Sequence, residues 1–423
     1  MDLARWLEHI EKQHPSSIEL GLERVRAVAA RLGLERPAAQ VITVAGTNGK
    51  GSTVAFTEAI ARAGGWKVGA YTSPHLLRYN ERVRIDGRDA PDEALAEAFA
   101  AVEAARGDIP LTYFEYGTLA ALWRFQRAAL DLAVLEVGLG GRLDAVNLVD
   151  ADVAVITTVD IDHTEWLGGD RESIGHEKAG IARAWKPLVL GEVDPPSSVL
   201  RHAYAIGANA IRLGSDFFHE DARDQTGDAA HWRWREVGAE LLLPQPGLDA
   251  PAQRANAATA IAALRALPRA LPERAFAEGV AAAALPGRLQ RFERDGIEIV
   301  VDVAHNPQAA RELAAWLRAQ PPADTGAVFA ALADKDAAAM VEALASPVAR
   351  WHLAGLAGTA RGQDVDAFAV RLADTAAGAA SRDARVADAL GRACTASTRG
   401  GRVLVFGSFH TAAAALEALR SGR

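Results

Sequence analysis

The chain has few of the residues that form covalent cross-links or membrane spans. Among its 423 residues there is one cysteine, Cys394, which excludes an internal disulfide framework and any zinc site made of cysteines alone. No window approaches the roughly 20 consecutive apolar residues that a membrane-spanning helix requires. Residues 1–15 mix charged and apolar side chains. We therefore expect no signal peptide, no membrane partner and a cytoplasmic protein.

The chain also lacks an excess of positive charge, since its 46 lysines and arginines are outnumbered by 54 aspartates and glutamates. The formal net charge is −8, so we expect no nucleic acid partner. Half of the residues are hydrophobic and 24% are charged, which is typical of a soluble globular protein with a sizeable core. The length suggests roughly two to three domains.

The most informative segment is 41–52, which reads V-I-T-V-A-G-T-N-G-K-G-S. An apolar strand runs into a glycine-rich turn with a lysine, and a helical pattern follows over 53–63. Such a unit binds phosphates, because backbone N–H groups of the turn face inward and the helix N-terminus carries a positive dipole. Lys50 would reach the outer phosphates, and the hydroxyl of Ser52 would hold Mg²⁺. We predict that the chain binds ATP or a related nucleotide.

The spacing of this turn differs from the ordinary Walker motif. G-x-x-x-x-G-K-[ST] would place a glycine at Val44 and a hydroxyl directly after Lys50. Here the first turn glycine is Gly46, Gly51 follows the lysine, and the hydroxyl belongs to Ser52. A chance glycine-rich turn after a strand is the alternative, and the continuous strand–turn–helix context disfavours it.

The pattern over the first two thirds of the chain predicts an α/β fold. Short apolar runs alternate with helical segments, which indicates a parallel sheet covered by helices on both faces. The segment 231–244 reads as a tryptophan-rich hairpin, which we interpret as surface structure. The predicted strands are 41–45, 67–71, 132–137, 153–159 and 187–191, and the predicted helices include 92–106, 116–129, 250–266 and 271–284.

Leu285-Pro286-Gly287 interrupts this pattern, and the α/β rhythm restarts after it. We predict an ATP-binding P-loop domain with a parallel sheet at 1–286. A smaller Rossmann-like α/β domain follows at 287–423. The predicted elements of the second domain are strands 297–303, 326–332 and 402–406 and helices 308–319 and 336–345.

Polar residues stand where three of the predicted strands end, which is where such sheets bind ligands. Ser73 and Glu136, with Ser52, offer the hard oxygens that Mg²⁺ prefers. His163 could serve a second metal, although a hydrogen-bonded loop histidine is an equal alternative. Each segment could also be ordinary turn chemistry, but three polar strand ends beside a phosphate-binding turn favour a site.

Together these strings resemble the bacterial folylpolyglutamate synthase/dihydrofolate synthase family within the Mur-ligase superfamily. The resemblance runs from about residue 17 to residue 411, nearly the whole chain. The strings that carry it are V-A-G-T-N-G-K-G-S at 44–52, T-S-P-H-L at 72–76, E-V-G-L-G-G-R-L-D-A at 136–145, D-H-T at 162–164, E-K-A-G-I at 177–181, P-G-R at 286–288, D-V-A-H-N-P at 302–307 and F-G-S-F at 406–409.

The resemblance implies an ATP-dependent ligase that joins L-glutamate to dihydropteroate and to reduced folate (poly)glutamates through an acyl phosphate. It implies two Mg²⁺ ions, ATP as co-substrate, a monovalent cation, and a monomer. Lys178 corresponds to a lysine that relatives carry as a carbamate, N6-carboxylysine. Without the resemblance, Lys178 would be interpreted as a solvated helix lysine.

The resemblance also assigns roles to individual residues. Nucleotide contacts fall on Gly46, Thr47, Asn48, Gly49, Lys50, Gly51, Ser52, Asn256, Arg288 and Asp302. Metal ligands are Ser52, Ser73, Glu136 and His163. Catalytic roles fall on Lys50, His163, Lys178, Asp302, His305 and Ser408, the last three placing glutamate. The dihydropteroate contacts correspond to Gly21, Leu22, Glu23, Thr112, Tyr113, Phe114, Glu115, Leu143, Asp144 and Ala145.

Other functions remain compatible with parts of this pattern. A monofunctional synthase would use only one of the two acceptors, and another Mur-type ligase would act on a peptidoglycan nucleotide or a different carboxylate. A phosphotransferase or simple ATPase would release phosphate independently of glutamate. A noncatalytic nucleotide-binding module is disfavoured because Lys50, Ser52, Glu136 and His163 are all present.

Overall fold

The computed structural model describes residues 1–14, 16, 18–222, 231–359 and 361–421. The chain divides into two compact units. Unit 1 comprises Met1–Gly247 and Gln253–Ala284, and unit 2 comprises Leu248–Ala252 and Leu285–Arg423. The predicted linker lies at the start of the second segment of unit 2. No helix in the described part of the chain has both the length and the apolar character needed to cross a membrane.

Unit 1 contains a mixed sheet of eight strands among the described residues. These are β1 (Gln40–Ala45), β2 (Val68–Tyr71), β3 (Val83–Ile85), β4 (Arg88–Asp89), β5 (Leu132–Glu136), β6 (Val153–Ile156), β7 (Pro187–Leu190) and β8 (Asn209–Arg212).

The strand order is β4-β3-β2-β5-β1-β6-β7-β8. The strands from β2 to β8 in this order are parallel, whereas β3 and β4 form an antiparallel edge. β1 is buried along its whole length, because four of its six residues are apolar and it has a strand on each side. The carboxyl ends of β2, β5, β1 and β6 therefore lie side by side. The predicted fold class is confirmed.

Helices of unit 1 pack on this sheet and on one another. Gly279 lets two of them approach closely, because a Cβ there would overlap the backbone of Ile60. The helices are α1 (Leu3–Glu11), α2 (Glu23–Arg31), α3 (Lys50–Ala63), α4 (Asp92–Arg106), α5 (Tyr113–Arg127), α6 (Thr164–Leu167), α7 (Arg171–Ala179), α8 (Ser197–Ala205), α9 (Pro251–Arg265) and α10 (Arg274–Ala282), with short 3₁₀ helices at Tyr79–Arg82 and Ala145–Leu148.

A second, three-stranded sheet in unit 1 corrects the interpretation of the tryptophan-rich hairpin. It consists of β9 (Phe217–Ala222), β10 (His231–Glu236) and β11 (Ala239–Pro244) in antiparallel order. Trp232 and Trp234 are both 0% exposed, and Trp234 Nε1 donates to Ala258 O of α9 at 3.1 Å. The prediction of surface structure was wrong, since the alternate residues of β10 face a packed interior.

Unit 2 is a smaller α/β sheet with the order β12-β13-β17-β14-β15-β16. Phe329 lies at the centre of its core, with ring centroids 4.7 Å from Phe406 and 5.2 Å from Phe368. The elements are β12 (Gln290–Arg294), β13 (Ile297–Val301), α11 (Pro307–Ala319), β14 (Thr325–Phe329), α12 (Ala337–Leu344), β15 (Arg350–Ala354), α13 (Val365–Val370), β16 (Ser381–Asp383), α14 (Val386–Ala396), β17 (Arg402–Phe406) and α15 (Phe409–Arg420).

Candidate active site

The glycine turn after β1 forms a tight loop, 46–52, which we call the phosphate loop. Gly46 has a φ of 152° and Gly49, the N-cap of α3, has a φ of 84°. A Cβ at Gly46 would overlap the Thr157 hydroxyl, and a Cβ at Gly49 would lie 2.5 Å from Asn256 Oδ1. Glycine is therefore required for this close approach. Because the loop opens the first turn of a helix, its backbone N–H groups can bind an anion.

Hydrogen bonds tie the phosphate loop to the segment after β6. Thr47 N donates to Thr158 O at 2.7 Å, and the Thr47 hydroxyl donates to Asp160 O at 3.0 Å. Asn48 N donates to Thr158 Oγ1 at 3.2 Å, and Thr157 Oγ1 donates to Asn48 O at 2.6 Å. These bonds hold the loop in shape and keep it beside the strand end that carries the predicted histidine.

Lys50 reaches back over the phosphate loop. Its Nζ donates to Gly46 O at 2.9 Å and to Thr47 O at 3.2 Å. The positive charge is thus kept beside the loop, where it can neutralise phosphate oxygens. Ser52 is buried in the first turn of the same helix.

The neighbouring strand ends carry the other predicted Mg²⁺ ligands. Glu136 ends β5 and is buried, and its Oε2 accepts from Ser73 N, just after β2, at 3.0 Å. Nowhere in the described residues do three His, Cys, Asp or Glu side chains converge on a metal position. A metal here would use the Ser52 and Ser73 hydroxyls, the Glu136 carboxylate and nucleotide phosphate oxygens. These hard oxygen donors fit Mg²⁺.

His163 lies in a left-handed turn, with a φ of 52°, directly before α6. Asp162 Oδ1 accepts from His163 N at 2.8 Å. Both residues line a pocket together with Lys50 and Lys178, and we call this pocket the central cleft. The structure therefore brings the predicted catalytic residues His163 and Lys178 together with Lys50, which is more than 100 positions earlier in the sequence.

Lys178, on α7, is only 3% exposed, contrary to the solvated helix lysine that its sequence position alone suggests. Burial, helped by the positive charge of Lys50, lowers the pKa of the Lys178 ammonium to about 7. The negative charges of Asp162, Asp144 and Glu192 oppose this shift. A large fraction of the amine is therefore uncharged near neutral pH.

Asp144 shapes the glycine-rich wall of the central cleft. Its Oδ2 accepts from Leu139 N and its Oδ1 from Val146 N, both at 2.9 Å. Burial raises the pKa of the Asp144 carboxyl to about 7, although these hydrogen bonds and Lys50 act in the opposite direction. Asp144 therefore fixes the turn after β5, and Gly138 in that turn lines the central cleft.

Two of the predicted dihydropteroate segments, 21–23 and 143–145, are adjacent in unit 1. Gly21 N donates to Leu143 O at 3.2 Å. Beside them, the ring of Phe114 occupies the space above Gly138, where a Cβ would lie 2.5 Å from its Cζ. The half-buried Tyr113 packs edge-on against another tyrosine ring. Aromatic faces are thus present, and their stacking on a pterin stays a prediction.

The third dihydropteroate segment begins α5 with a capping box. The Thr112 hydroxyl accepts from Glu115 N at 3.2 Å, and the Glu115 carboxylate accepts from Thr112 N at 2.8 Å. The same carboxylate accepts from Arg24 at 2.9 Å. These contacts account for the burial of Glu115, whose predicted hydrogen bond to the pterin is untested.

In unit 2 the predicted residues gather at the carboxyl ends of β13 and β17, which are adjacent and parallel. Asp302 is buried, and its two oxygens accept from Leu289 N at 2.9 Å and Ala304 N at 2.8 Å. Burial raises the pKa of the Asp302 carboxyl, and the charges of Arg288 and His305 oppose this rise.

Phe409 joins this group, although we did not predict it. The Arg288 guanidinium carbon lies 5.5 Å from the centroid of its ring, and the His305 ring lies 5.9 Å from it. Ser408 is the N-cap of α15, and its hydroxyl accepts from Thr411 N at 3.0 Å. The position of Phe409 in the F-G-S-F string was the available signal.

Two further unpredicted residues hold the backbone that leads to the histidine loop. Glu192 Oε1 accepts from Val159 N at 3.1 Å, and Arg171 Nε donates to Val159 O at 2.8 Å. Arg171 also donates to Glu192 Oε2 at 3.0 Å. We call these three residues the Val159 clamp. Glu192 follows β7 at the same sheet edge, so the strand-end rule could have found it.

Both units match known protein families. Residues 44–264 match the Mur ligase middle domain, and residues 287–409 match the Mur ligase, glutamate ligase domain. The dihydrofolate synthase/folylpolyglutamate synthase of Escherichia coli is 47% identical over 423 residues, covering 100% of this chain and 96% of that protein. The chain belongs to this family.

Solved structures of the family agree with this assignment. E. coli FolC in complex with DHPP and ADP matches with a TM-score of 0.93 at 46% identity, covering 100% of this chain and 99% of that one. A bifunctional folylpolyglutamate synthase/dihydrofolate synthase with Mn, AMPPNP and L-glutamate bound matches with a TM-score of 0.91 at 45% identity, covering 99% and 98%. The predicted family is confirmed, and the individual ligand contacts stay predictions.

Proposed function

We propose that this chain is an ATP-dependent ligase that adds L-glutamate to dihydropteroate, forming dihydrofolate, and to tetrahydrofolate (poly)glutamates. The observation that carries the proposal is the meeting of Lys50, His163 and Lys178 in one cleft beside the phosphate loop. Phosphoryl transfer between two anions depends on charge neutralisation, and this cleft concentrates the groups that supply it.

The reaction has two steps. A carboxylate oxygen of the acceptor attacks the γ-phosphorus of ATP, and the bond from phosphorus to the bridging oxygen breaks, giving an acyl phosphate and ADP. The uncharged amine of L-glutamate then attacks the acyl carbon, phosphate leaves with the bonding electrons, and the nitrogen loses a proton. The phosphate loop and Lys50 bind the nucleotide phosphates. Mg²⁺ held by Ser52, Ser73 and Glu136, with a second ion at His163, would neutralise phosphate charge when bound.

Lys178 is proposed to carry a carbamate. The uncharged amine attacks CO₂ and loses a proton, so that a buried neutral amine becomes a buried anion. The burial of Lys178 and a pKa of about 7 support this step, because only the uncharged amine is nucleophilic. A carbamate would also face Lys50 with the opposite charge, removing the repulsion between the two ammonium groups.

The remaining contacts are proposed by unit. In unit 1, Asn256 contacts the nucleotide, which its position against Gly49 supports. In unit 2, Arg288 and Asp302 contact the nucleotide, and Asp302, His305 and Ser408 place glutamate. The pterin-bearing acceptor is bound by Gly21, Leu22, Glu23, Thr112, Tyr113, Phe114, Glu115, Leu143, Asp144 and Ala145.

We further propose functional domains at 1–286 and 287–423 in a cytoplasmic monomer that uses a monovalent cation and binds neither nucleic acid nor membrane. Light scattering at micromolar concentration tests the monomer, and activity measured with potassium replaced by a bulky organic cation tests the monovalent site.

One experiment tests the reaction. The protein is incubated with ATP, Mg²⁺ and L-glutamate, with either dihydropteroate or tetrahydrofolate as the acceptor. The masses of the products are then measured by mass spectrometry. We expect one added glutamyl residue with each acceptor. Product with one acceptor alone would reduce the proposal to a monofunctional enzyme, and product with neither would reject it.

A further inference from the structure

Arg82 is a buried arginine that forms no ion pair with any carboxylate among the described residues. It ends the 3₁₀ helix Tyr79–Arg82 in unit 1 and is 9% exposed. Its Nε donates to His75 Nδ1 at 2.9 Å, and its guanidinium carbon lies 5.3 Å and 5.4 Å from the ring centroids of Tyr79 and Tyr113. Across the described part of the chain, no carboxylate forms an ion pair with it, and its guanidinium is contacted instead by the His75 ring nitrogen and two tyrosine faces.

Two partly buried arginines of unit 1 are paired with carboxylates, unlike Arg82. Arg84 pairs with Glu58 at 2.8 Å, and Arg24 pairs with Glu115 at 2.9 Å. Burying a cation without an anion is unfavourable, and cation–π contacts offset only part of that cost. The arrangement around Arg82 is therefore what a site for an anionic ligand requires.

The position of Arg82 indicates which ligand this is. Its guanidinium lies against the ring of Tyr113, which belongs to the predicted pterin segment. Its backbone oxygen accepts from Thr72 N at 2.9 Å, and Thr72 directly precedes the proposed metal ligand Ser73. It does not line the central cleft, where the reacting carboxylate must meet ATP. Arg82 thus contacts the predicted pterin segment and is bonded to the residue before a proposed metal ligand.

The two proposed acceptors differ in their anions. Dihydropteroate has one carboxylate, which is the group that reacts. In a folate that ends in glutamate, the γ-carboxylate of the glutamate reacts, and its α-carboxylate does not. We propose that Arg82 binds this α-carboxylate, because a guanidinium can hold a carboxylate through two parallel N–H···O bonds. The proposal rests on the proposed function and makes Arg82 a specificity residue for the glutamylated acceptor.

The test compares the two acceptors in one protein. For wild type, Arg82→Lys and Arg82→Gln, kcat/KM is measured with tetrahydrofolate and with dihydropteroate. We expect Arg82→Gln to lower the ratio of tetrahydrofolate to dihydropteroate by about 10- to 100-fold, chiefly through KM, which is the usual value of a charged hydrogen bond. Arg82→Lys keeps the positive charge but cannot form two parallel hydrogen bonds to a carboxylate. Its ratio should therefore lie between those of the wild type and Arg82→Gln. An unchanged ratio would overturn the proposal.

Two controls separate binding from folding. Arg78→Gln removes an exposed arginine of the same segment, paired with Asp92, and should leave the ratio unchanged. The second control uses the wild type with a tetrahydrofolate analogue whose α-carboxylate is converted to an amide. This control does not depend on whether any variant folds. The analogue should lose about as much affinity as Arg82→Gln loses for tetrahydrofolate. An amide that binds wild type as tightly as tetrahydrofolate would refute the contact, whereas a wild type that is inactive with both acceptors would instead refute the proposed function.

Discussion

At the scale of single residues, burial and the neighbouring charge of Lys50 change the chemistry of Lys178. Its pKa is about 7 in the folded chain, against 10.5 for an ordinary lysine, so the unfolded state binds more protons between these values. The free energy of unfolding should therefore rise as pH rises from about 7 towards 10, and Lys178→Met should lose that part of the slope. Urea midpoints measured across this pH range in CO₂-free buffer give the slope of the free energy of unfolding against pH.

The control is Lys186→Met, at a half-exposed lysine, which should keep the wild-type slope. Equal slopes for wild type and Lys178→Met would contradict the low pKa.

Gly46 is constrained by space rather than by chemistry. Gly46→Ala would place a methyl group into the Thr157 hydroxyl, so we expect a loss of about 3 kcal/mol in the free energy of unfolding and weaker nucleotide binding. Thermal unfolding and titration with an ATP analogue measure both. Gly65→Ala is the control, because that glycine has a φ of 82° with no atom within 4 Å of a Cβ, which isolates backbone strain. The double variant Gly46→Ala/Thr157→Ala should recover part of the loss, and no recovery would show that the overlap is not the cause.

At the scale of elements, the Val159 clamp connects α7, which carries Lys178, to the loop after β6. Arg171→Gln should remove the donor to Val159 O and the ion pair with Glu192, so we expect kcat to fall about 10-fold with the KM for ATP little changed. The double variant Arg171→Gln/Glu192→Gln should fall no further than the worse single variant, because the two side chains act as one unit. Steady-state kinetics measures this.

The control for the clamp is Arg201→Ala. It removes an exposed ion pair to Glu172 in the first turn of α7 without touching the loop, and should leave kcat unchanged. Losses at Arg171 and Glu192 that simply add, or a larger effect on the KM for ATP than on kcat, would argue against a positioning role.

Elements with continuous apolar character could be predicted from the sequence, and those with charged alternation could not. β1 and β17 are buried throughout and were predicted, whereas β12 reads Q-R-F-E-R on a sheet edge and was missed. In the candidate site, Ser73, Glu136 and His163 could be predicted as site residues because polar residues follow apolar strands, and their roles stay predictions. Glu192 and Arg82 were not predicted, because the roles now proposed for them depend on burial and on partners distant along the chain.

At the scale of the whole molecule, nucleotide binding should stabilise the unit that holds the phosphate loop. A ligand that binds only the folded state at about 100 times its Kd adds about 2.7 kcal/mol to the free energy of unfolding. We therefore expect Mg²⁺ with a non-hydrolysable ATP analogue to raise the melting temperature of the wild type by several degrees. Lys50→Ala should show a much smaller rise in melting temperature, because the Lys50 ammonium that it removes lies over the phosphate loop. Asn256→Ala should show an intermediate rise. The melting temperature of Lys186→Met should rise by as much as that of the wild type. Scanning calorimetry with and without the analogue measures all four, and an equal rise for Lys50→Ala would place the nucleotide elsewhere.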